Sequence, residues 1–382
     1  KHIRTIAALI GIISGIPWLV LGMQALGEMF RYISLGAMSF SEAVIFGVIV
    51  IAIRQFWTVK IGMRGVVISD YFQGIVAYIA GTIMLLGLIA WLVMTNDIHF
   101  TSLETSKFSL PNIGSEEGPL YLFSLILTGA LGGWCWPYIF VRLFTARGVK
   151  SIKKSATFAV PLSFIFCGAL LIFGMLAAAL PGVAEHPNEV WFIVSNEAGG
   201  LLLLGFAGVV LLAASMGHID GNIQATGAQI ANDLLGNYFK LNTRQLIIIS
   251  KFGMLGLTAL SSWLACLELP ALFTLAVLAY QGIIQLAVPQ FLGIFWKRGN
   301  KYSAVASMTT GFIMAVTLEL MYPGGLPWAY GLTSGTVALM VNVAVYISLA
   351  YLIPQDHEEI ERVNKLFNLT EEKLHASEYA ET

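Results

Sequence analysis

The run LLLLGFAGVVLLAASMGHIDGNIQATGAQIANDLL, residues 201–235, is apolar enough to enter a bilayer, yet it carries His218 and Asp220 two residues apart between Gly217 and Gly221. A helix crossing a hydrocarbon core of about 30 Å needs ~20 apolar residues, and this run supplies them. A charged side chain at mid-membrane costs on the order of 3 kcal/mol on insertion scales, so it needs a partner or a water-filled cavity. On a helix of ~100° per residue, Ala214, Gly217, His218, Asp220 and Gly221 share one arc of roughly 160°. The glycines remove side chains from that arc, so backbone or a neighbouring helix can approach closely. The arc is a candidate ion or proton path; hydrogen bonds between helices are the plainer reading of the same residues.

Apolar runs of similar length recur along the 382 residues, near 5–30, 40–57, 65–95, 119–143, 155–181, 244–267, 270–296, 302–321 and 329–353. With 199–235 they make ten expected spans. The chain is 57% hydrophobic and 11% charged, against roughly a quarter charged in a soluble domain. Barrel strands would be short and alternating, so the sequence predicts an all-α polytopic membrane protein. Residues 1–354 form the expected transmembrane domain, and the polar tail 355–382 is expected as a solvated helix. Cys135, Cys167 and Cys266 lie in spans and suggest no disulfide framework. Net charge is −1, which gives no footprint for nucleic acid.

Charge placement orients the chain. Arg31 and Lys107 apart, basic residues cluster at alternating connections: Arg54, Lys60 and Arg64; then Arg142, Arg147, Lys150, Lys153 and Lys154; then Lys297, Arg298 and Lys301. By the positive-inside rule these face the cytoplasm, as do both chain ends, in a multi-pass protein of the cell membrane. The intervening stretches 96–118 and 183–190 are acidic and rich in turn residues.

Two further features carry chemistry. Asp70 sits in GMRGVVISDYFQG (62–74), six residues after Arg64. Gly129, Gly132, Gly133 and Pro137, within TGALGGWCWPYIFVRLFTARGVKS (128–151), predict a helix broken at mid-membrane, with Trp134 and Trp136 lining or flanking a pocket. Lys251 and Glu319 lie near span ends, where long side chains reach water.

Four segments together resemble the sodium:solute symporter family. GMRGVVISDYFQG is similar to its G-G-x-x-x-V-x-x-T-D-x-x-Q signature. WPYIFVRLFTARGVKS (136–151) is similar to its aromatic-P-H-x-x-x-R-x-x-x-A-x-S segment. AASMGHIDGNIQATGAQIANDLL (213–235) is similar to its eighth-helix signature, and GIFWKRGNKYSAVASMTTG (293–311) to its L-F-W-K-R-x-N-x-x-G-A loop. The resemblance implies a LeuT-type inverted-repeat bundle with solute and ions bound near the midplane beside broken helices. The ten spans would be core helices three to ten plus two, with an upstream segment or separate chain supplying the first two.

In the family the main sodium site is completed by an alanine and two hydroxyls, at positions matching Ala214, Gly217 and His218 here. A second cation site matches Asp70, with hydroxyl positions now Asp220 and Gly221. Sodium prefers oxygen ligands, whereas histidine and paired carboxylates handle protons near neutral pH. Either sodium at Asp70 and Asp220 or a site rebuilt for protons therefore fits. The resemblance favours members handling amino acids, pantothenate or monocarboxylates over sugar transporters, whose polar sixth-helix positions are Gly129 and Gly132 here. Gly133, Trp134, Trp136, Gln24 and Gln281, with Gln285, are the candidate solute contacts. The expected function is a secondary active transporter of a small organic solute, coupled to Na+ or H+ and without other cofactors. The alternative is a membrane sensor or accessory subunit without coupled transport. Enzyme chemistry is not expected, because no nucleophile, metal cluster or phosphate loop accompanies His218 and Asp220.

Overall fold

The computed structural model describes residues 1–61, 63–113, 115, 117–267 and 272–379. Gly62, at the head of the Asp70 segment, and the last three residues of the 355–382 tail lie outside them. No strand occurs among the described residues, and the chain runs as helices in series. They are α1 (His2–Ile33), α2 (Phe40–Ile61), α3 (Met63–Gly74), α4 (Gly81–Thr95), α5 (Pro119–Cys135), α6 (Pro137–Phe144), α7 (Val149–Ala177) and α8 (Val190–Gln229). Then follow α9 (Thr243–Ala265), α10 (Leu272–Ile283), α11 (Ala287–Phe295), α12 (Lys301–Met321), α13 (Ser334–Leu352) and α14 (His357–Tyr379). Among the described residues eight helical stretches are long and apolar enough to cross a membrane, and the bent pair α5–α6 makes a ninth. The 22-residue α2 occupies the remaining expected span.

Helix α1 is the axis of the bundle, packed against α2, α8 and α10. Its small residues set those distances. A Cβ on Gly22 would lie 2.9 Å from Ile219 Cγ1, and one on Gly15 would lie 3.2 Å from Asn222 Oδ1. Any larger side chain would therefore separate α1 from α8, which is how small residues act between helices in lipid. Around this contact one apolar cluster gathers Leu19, Met23, Leu26, Leu88, Leu176 and Ile219. A second gathers Ile10, Trp136, Ala279, Ile283, Met308 and Tyr346. Outside, Phe158, Phe164, Leu202 and Ile313 are exposed. Such a surface suits acyl chains, and the helices satisfy their own backbone groups within it.

Three details depart from the sequence reading. Helix α8 starts earlier than the expected 199–235 span, at Val190, and breaks at Gly199–Gly200, where Gly200 takes φ 60, ψ −154. Only glycine enters that region without steric cost. Ile75–Ala80 and Ile230–Leu235 are π-helical turns, one between α3 and α4 and one ending α8. Glu319, expected to reach water, is buried and accepts a hydrogen bond from the Ser334 hydroxyl. The first turn of α13 packs beside the end of α12 and supplies the partner that solvent would have supplied.

Neutral polar groups tie α10 and the 3-10 turn after it, Ile284–Leu286, to α13. Gln281 Oε1 accepts from the Gly335 N–H at 2.7 Å, Gln285 Nε2 donates to the Gly335 carbonyl at 3.0 Å, and Asn342 Nδ2 donates to the Gln285 carbonyl at 2.8 Å. Below them the tail docks on the α11–α12 connection. Lys301 donates from its backbone to Glu359 and from its ammonium to Asp356, at 2.8 and 2.6 Å. Its hydrogen bond holds the Asp356 carboxyl below the usual range. That contact is present at neutral pH and fades as pH falls through the lowered value.

Asn300 caps α12, accepting from Tyr302 and Ser303 N–H at 3.0 and 2.8 Å and donating to the Ile353 carbonyl at 2.9 Å. Asn300→Ala should cost about 1–2 kcal/mol, the upper range for an N-cap. A drop in apparent Tm in detergent, partly recovered by Asn300→Asp, is the expected result; an unchanged Tm would show that the cap contributes nothing.

Candidate functional site

The α5–α6 junction is a true break. Pro137 opens α6, and Trp136 before it is extended at φ −65, ψ 123, so the two segments meet at 45°. A proline excludes the α conformation from the residue ahead of it and cannot donate to the preceding turn. The extended backbone turns Trp136 inward, where it is fully buried. There it stacks on Trp18 at 5.4 Å and meets Tyr280 edge-on at 5.6 Å. His218 also lies against Trp18, tilted, with ring centroids 4.9 Å apart. The indole N–H groups of Trp18 and Trp136 make no well-formed hydrogen bond, and neither does His218 Nε2.

Beside this aromatic cluster α3 crosses α8. A cleft of about 380 Å3 opens there, with Asp70, Gln73, Tyr138, Arg142, Gly217 and His218 in its wall. Arg142 Nε donates to Asp70 Oδ2 at 3.1 Å, and a second guanidinium nitrogen bonds the same oxygen. The guanidinium carbon also sits 5.3 Å over the Tyr138 ring. Asp70 Oδ1 and Gln73 Oε1 are buried without hydrogen-bond partners. Both converge on Gly217, lying 3.6 and 3.1 Å from where its Cβ would be. A side chain at 217 would occupy the space between those two oxygens. Gly221 does the same for Arg142: a Cβ there would come within 2.8 Å of a guanidinium nitrogen.

The structure gathers Asp70, Ala214, Gly217 and His218 on one cleft. Asp220, on the same helix, turns out of it and forms an ion pair with Arg54 of α2, which also donates to the Ser69 hydroxyl. Arg54 and Arg142, grouped with loop cations in the sequence, thus lie inside helices and neutralise carboxylates. The expected solute contacts are dispersed. Trp134 faces outward and half-exposed, Gly133 borders open space, Gln24 donates to the Ala265 carbonyl at 3.4 Å, and Gln281 is engaged with α13. Gln73, Trp18 and Tyr138 were missed as site residues. Gln73 stood in a recognisable signature, but Trp18 and Tyr138 reach the cleft by tertiary packing alone.

The model of the sodium:solute symporter family matches residues 1–311. Among curated proteins, the chain is similar to the uncharacterized symporter YodF of Bacillus subtilis (strain 168), 22% identical over 91% of this chain and 69% of that protein. It is also similar to the osmoregulated proline transporter OpuE of the same organism, 23% identical over 73% of this chain and 57% of the relative. Sodium/proline symporter 2 of Staphylococcus saprophyticus is 23% identical, over 68% of this chain and 52% of that protein. The chain therefore spans between about half and just over two thirds of the length of these relatives. Among solved structures, a Na+-coupled sialic acid symporter in a substrate-bound outward-open state superposes with TM-score 0.67 at 17% identity, covering 92% of this chain and 75% of that one. The fold is the LeuT-type helical bundle that the sequence leads one to expect.

Asp70 and Arg142 should behave as a coupled pair. In a double-mutant cycle with Asp70→Asn and Arg142→Gln, read from unfolding in detergent, the expected coupling is about 1–3 kcal/mol. Additivity to within about 0.5 kcal/mol would mean that the two side chains do not stabilise each other.

Proposed function

The chain belongs to the sodium:solute symporter family, and from that premise we propose that it is a cation-coupled symporter for a small zwitterionic or carboxylate solute, amino-acid-like in the first instance. The observation that carries this reading is the convergence of Asp70 Oδ1 and Gln73 Oε1 over Gly217. Two oxygens without protein partners, one of them from a carboxylate, are the donor set a hard monovalent cation takes, with water completing the shell. Ala214 and Gly217 keep the α8 wall of the cleft free of bulk. Sodium is cargo here, and the names of the proline-transporting relatives make sodium the leading coupling ion and proline the first probe.

The α5–α6 break lies beside this cleft, so a solute held at the half-helix ends would sense the ion through Tyr138 and Trp136. Gly132 supports a small solute: the Tyr280 ring stands 2.9 Å from its Cβ position, leaving no room for the polar side chain that a sugar site would place there. Both ends of this chain are read as cytoplasmic, which the basic connections described above support.

His218 favours a second reading, proton coupling. Its Nε2 makes no well-formed hydrogen bond and its ring shares the cleft with Asp70. A carboxylate and an imidazole in one cavity can pass a proton between water and the bundle interior. The remaining alternative, a sensor without coupled transport, requires solute binding without exchange.

Proteoliposomes loaded with unlabelled proline, or with members of an amino-acid and short-carboxylate panel, separate these readings by counterflow and gradient-driven uptake. We expect uptake that follows an inward sodium gradient and falls at least tenfold in Asp70→Asn and several-fold in Gln73→Ala. Uptake that ignores sodium, follows a pH gradient and disappears in His218→Ala would move the assignment to protons. Binding without counterflow of any probe would remove transport altogether.

A further inference from the structure

Asp220 is the most deeply buried carboxylate among the described side chains near the cleft, 1% exposed, yet it lines no part of that cleft. Its charge is met by Arg54, which reaches across from α2 and is fixed at its other nitrogen by the Ser69 hydroxyl of α3. One residue along each helix, Asp70 of α3 and Gly221 of α8 frame Arg142 in the same way. The crossing is thus held by two guanidinium groups, each carried by a different helix. Their exposure differs. The Arg142–Asp70 pair stands in the cleft wall and leaves Asp70 Oδ1 with Gln73 Oε1 beside it. Where Arg54 meets Asp220 the pair is closed in: the Asp220 side chain is fully buried and that of Arg54 is 18% exposed, against 23% for Asp70 and 30% for Arg142, and neither Asp220 oxygen has a hydrogen-bond partner besides that guanidinium.

We infer that Arg54 is a tethered cation that permanently fills the demand of Asp220, so that Asp220 binds no mobile ion and the α3–α8 crossing offers a single exchangeable cation position at Asp70 and Gln73. Arginine stays charged at any physiological pH and its planar fork satisfies a carboxylate directly. A sodium ion brought to Asp220 would meet the charge of Arg54 at a fully buried carboxylate, whereas Asp70, though also paired with an arginine, keeps one oxygen clear of it on the wall of the cleft. Replacing a mobile ion by a covalently held one keeps the buried carboxylate neutralised through the whole cycle. It also lowers the number of ions that one solute can draw on. The inference rests on reading Asp70 as an ion ligand only for the position it leaves open; the role of Arg54 stands separately.

Sodium itself is the probe. Binding of 22Na+ to the purified full chain in nanodiscs, followed by scintillation proximity, should be unchanged within twofold in Asp220→Asn and weakened at least tenfold in Asp70→Asn. Arg54→Met keeps the apolar stem but removes the charge. It should add one sodium per chain, a gain absent from Arg54→Lys and abolished in Arg54→Met/Asp220→Asn. Loss of sodium binding in Asp220→Asn, or an Arg54→Met protein that is monodisperse and binds no extra sodium, overturns the inference. If Arg54→Met fails to fold, the Asp220→Asn measurement decides alone. A wild-type chain without sodium binding, in which Arg54→Met creates a site that Asp220→Asn removes, overturns the sodium reading of Asp70 and upholds Arg54 as the tethered cation.

Discussion

A carboxylate inside a bilayer must find its counter-charge within the bundle, and that requirement organises the region where α2, α3, α6 and α8 meet. Asp220 is fully buried and Asp70 only partly exposed, so water cannot solvate both. The two arginines therefore come from separate helices, Arg142 from α6 and Arg54 from α2, and each binds across to a helix distant in sequence. Removing one partner of such a pair strands the other in a poor solvent. The positions of four helices are coupled by that cost, and a change at one pair is felt at the next residue of the other.

Close approach is what allows the charges to meet. Gly217 and Gly221 are spaced by one turn on α8, and each faces a polar group that a side chain would displace. On α1, Gly15 and Gly22 bring the axis helix against the same stretch of α8. Trp18, carried between them, then lies against His218 and Trp136. The broken helix joins this arrangement through Pro137, because the extended Trp136 ahead of it is what turns the indole inward. Sequence, backbone and site are thus linked at single residues: Pro137 imposes the extended conformation on Trp136 that carries its indole into the aromatic cluster.

Much of this was legible in the sequence. Long apolar runs, the glycines and proline of 128–137, and the exceptional titratable residues at 70, 218 and 220 point to the spans, the break and a candidate ion site. The reasons are direct, since hydrophobic length and helix-breaking chemistry are local properties. What stayed hidden depends on partners. Arg54 and Arg142 read as ordinary positive-inside residues, because nothing local distinguishes an arginine that faces phospholipid headgroups from one that faces a carboxylate on another helix. Glu319 read as a residue near water for the same reason, until Ser334 was seen beside it. The π turns at Ile75–Ala80 and Ile230–Leu235 carry no composition signal at all, yet the first begins two residues after Gln73, where its wider turn re-aims the helix.

The two polar systems of the bundle differ in kind, and the difference bears on which parts move. Between α10 and α13 the contacts are amide to backbone: Gln281 and Gln285 each bond Gly335, and Asn342 bonds Gln285. Such bonds are short-ranged and directional, and a shift of an ångström leaves a buried amide unsatisfied. They suit a scaffold. At the α3–α8 crossing the contacts are between full charges, which fall off slowly with distance and tolerate a change of geometry so long as opposite signs remain near each other. Arg142, with nitrogens on Asp70 and its plane over Tyr138, can slide between those partners without losing both. For the symporter proposed above, this division would let the amide contacts hold α13 to α10 and the turn after it, while the ion-paired crossing keeps opposite charges together through small displacements.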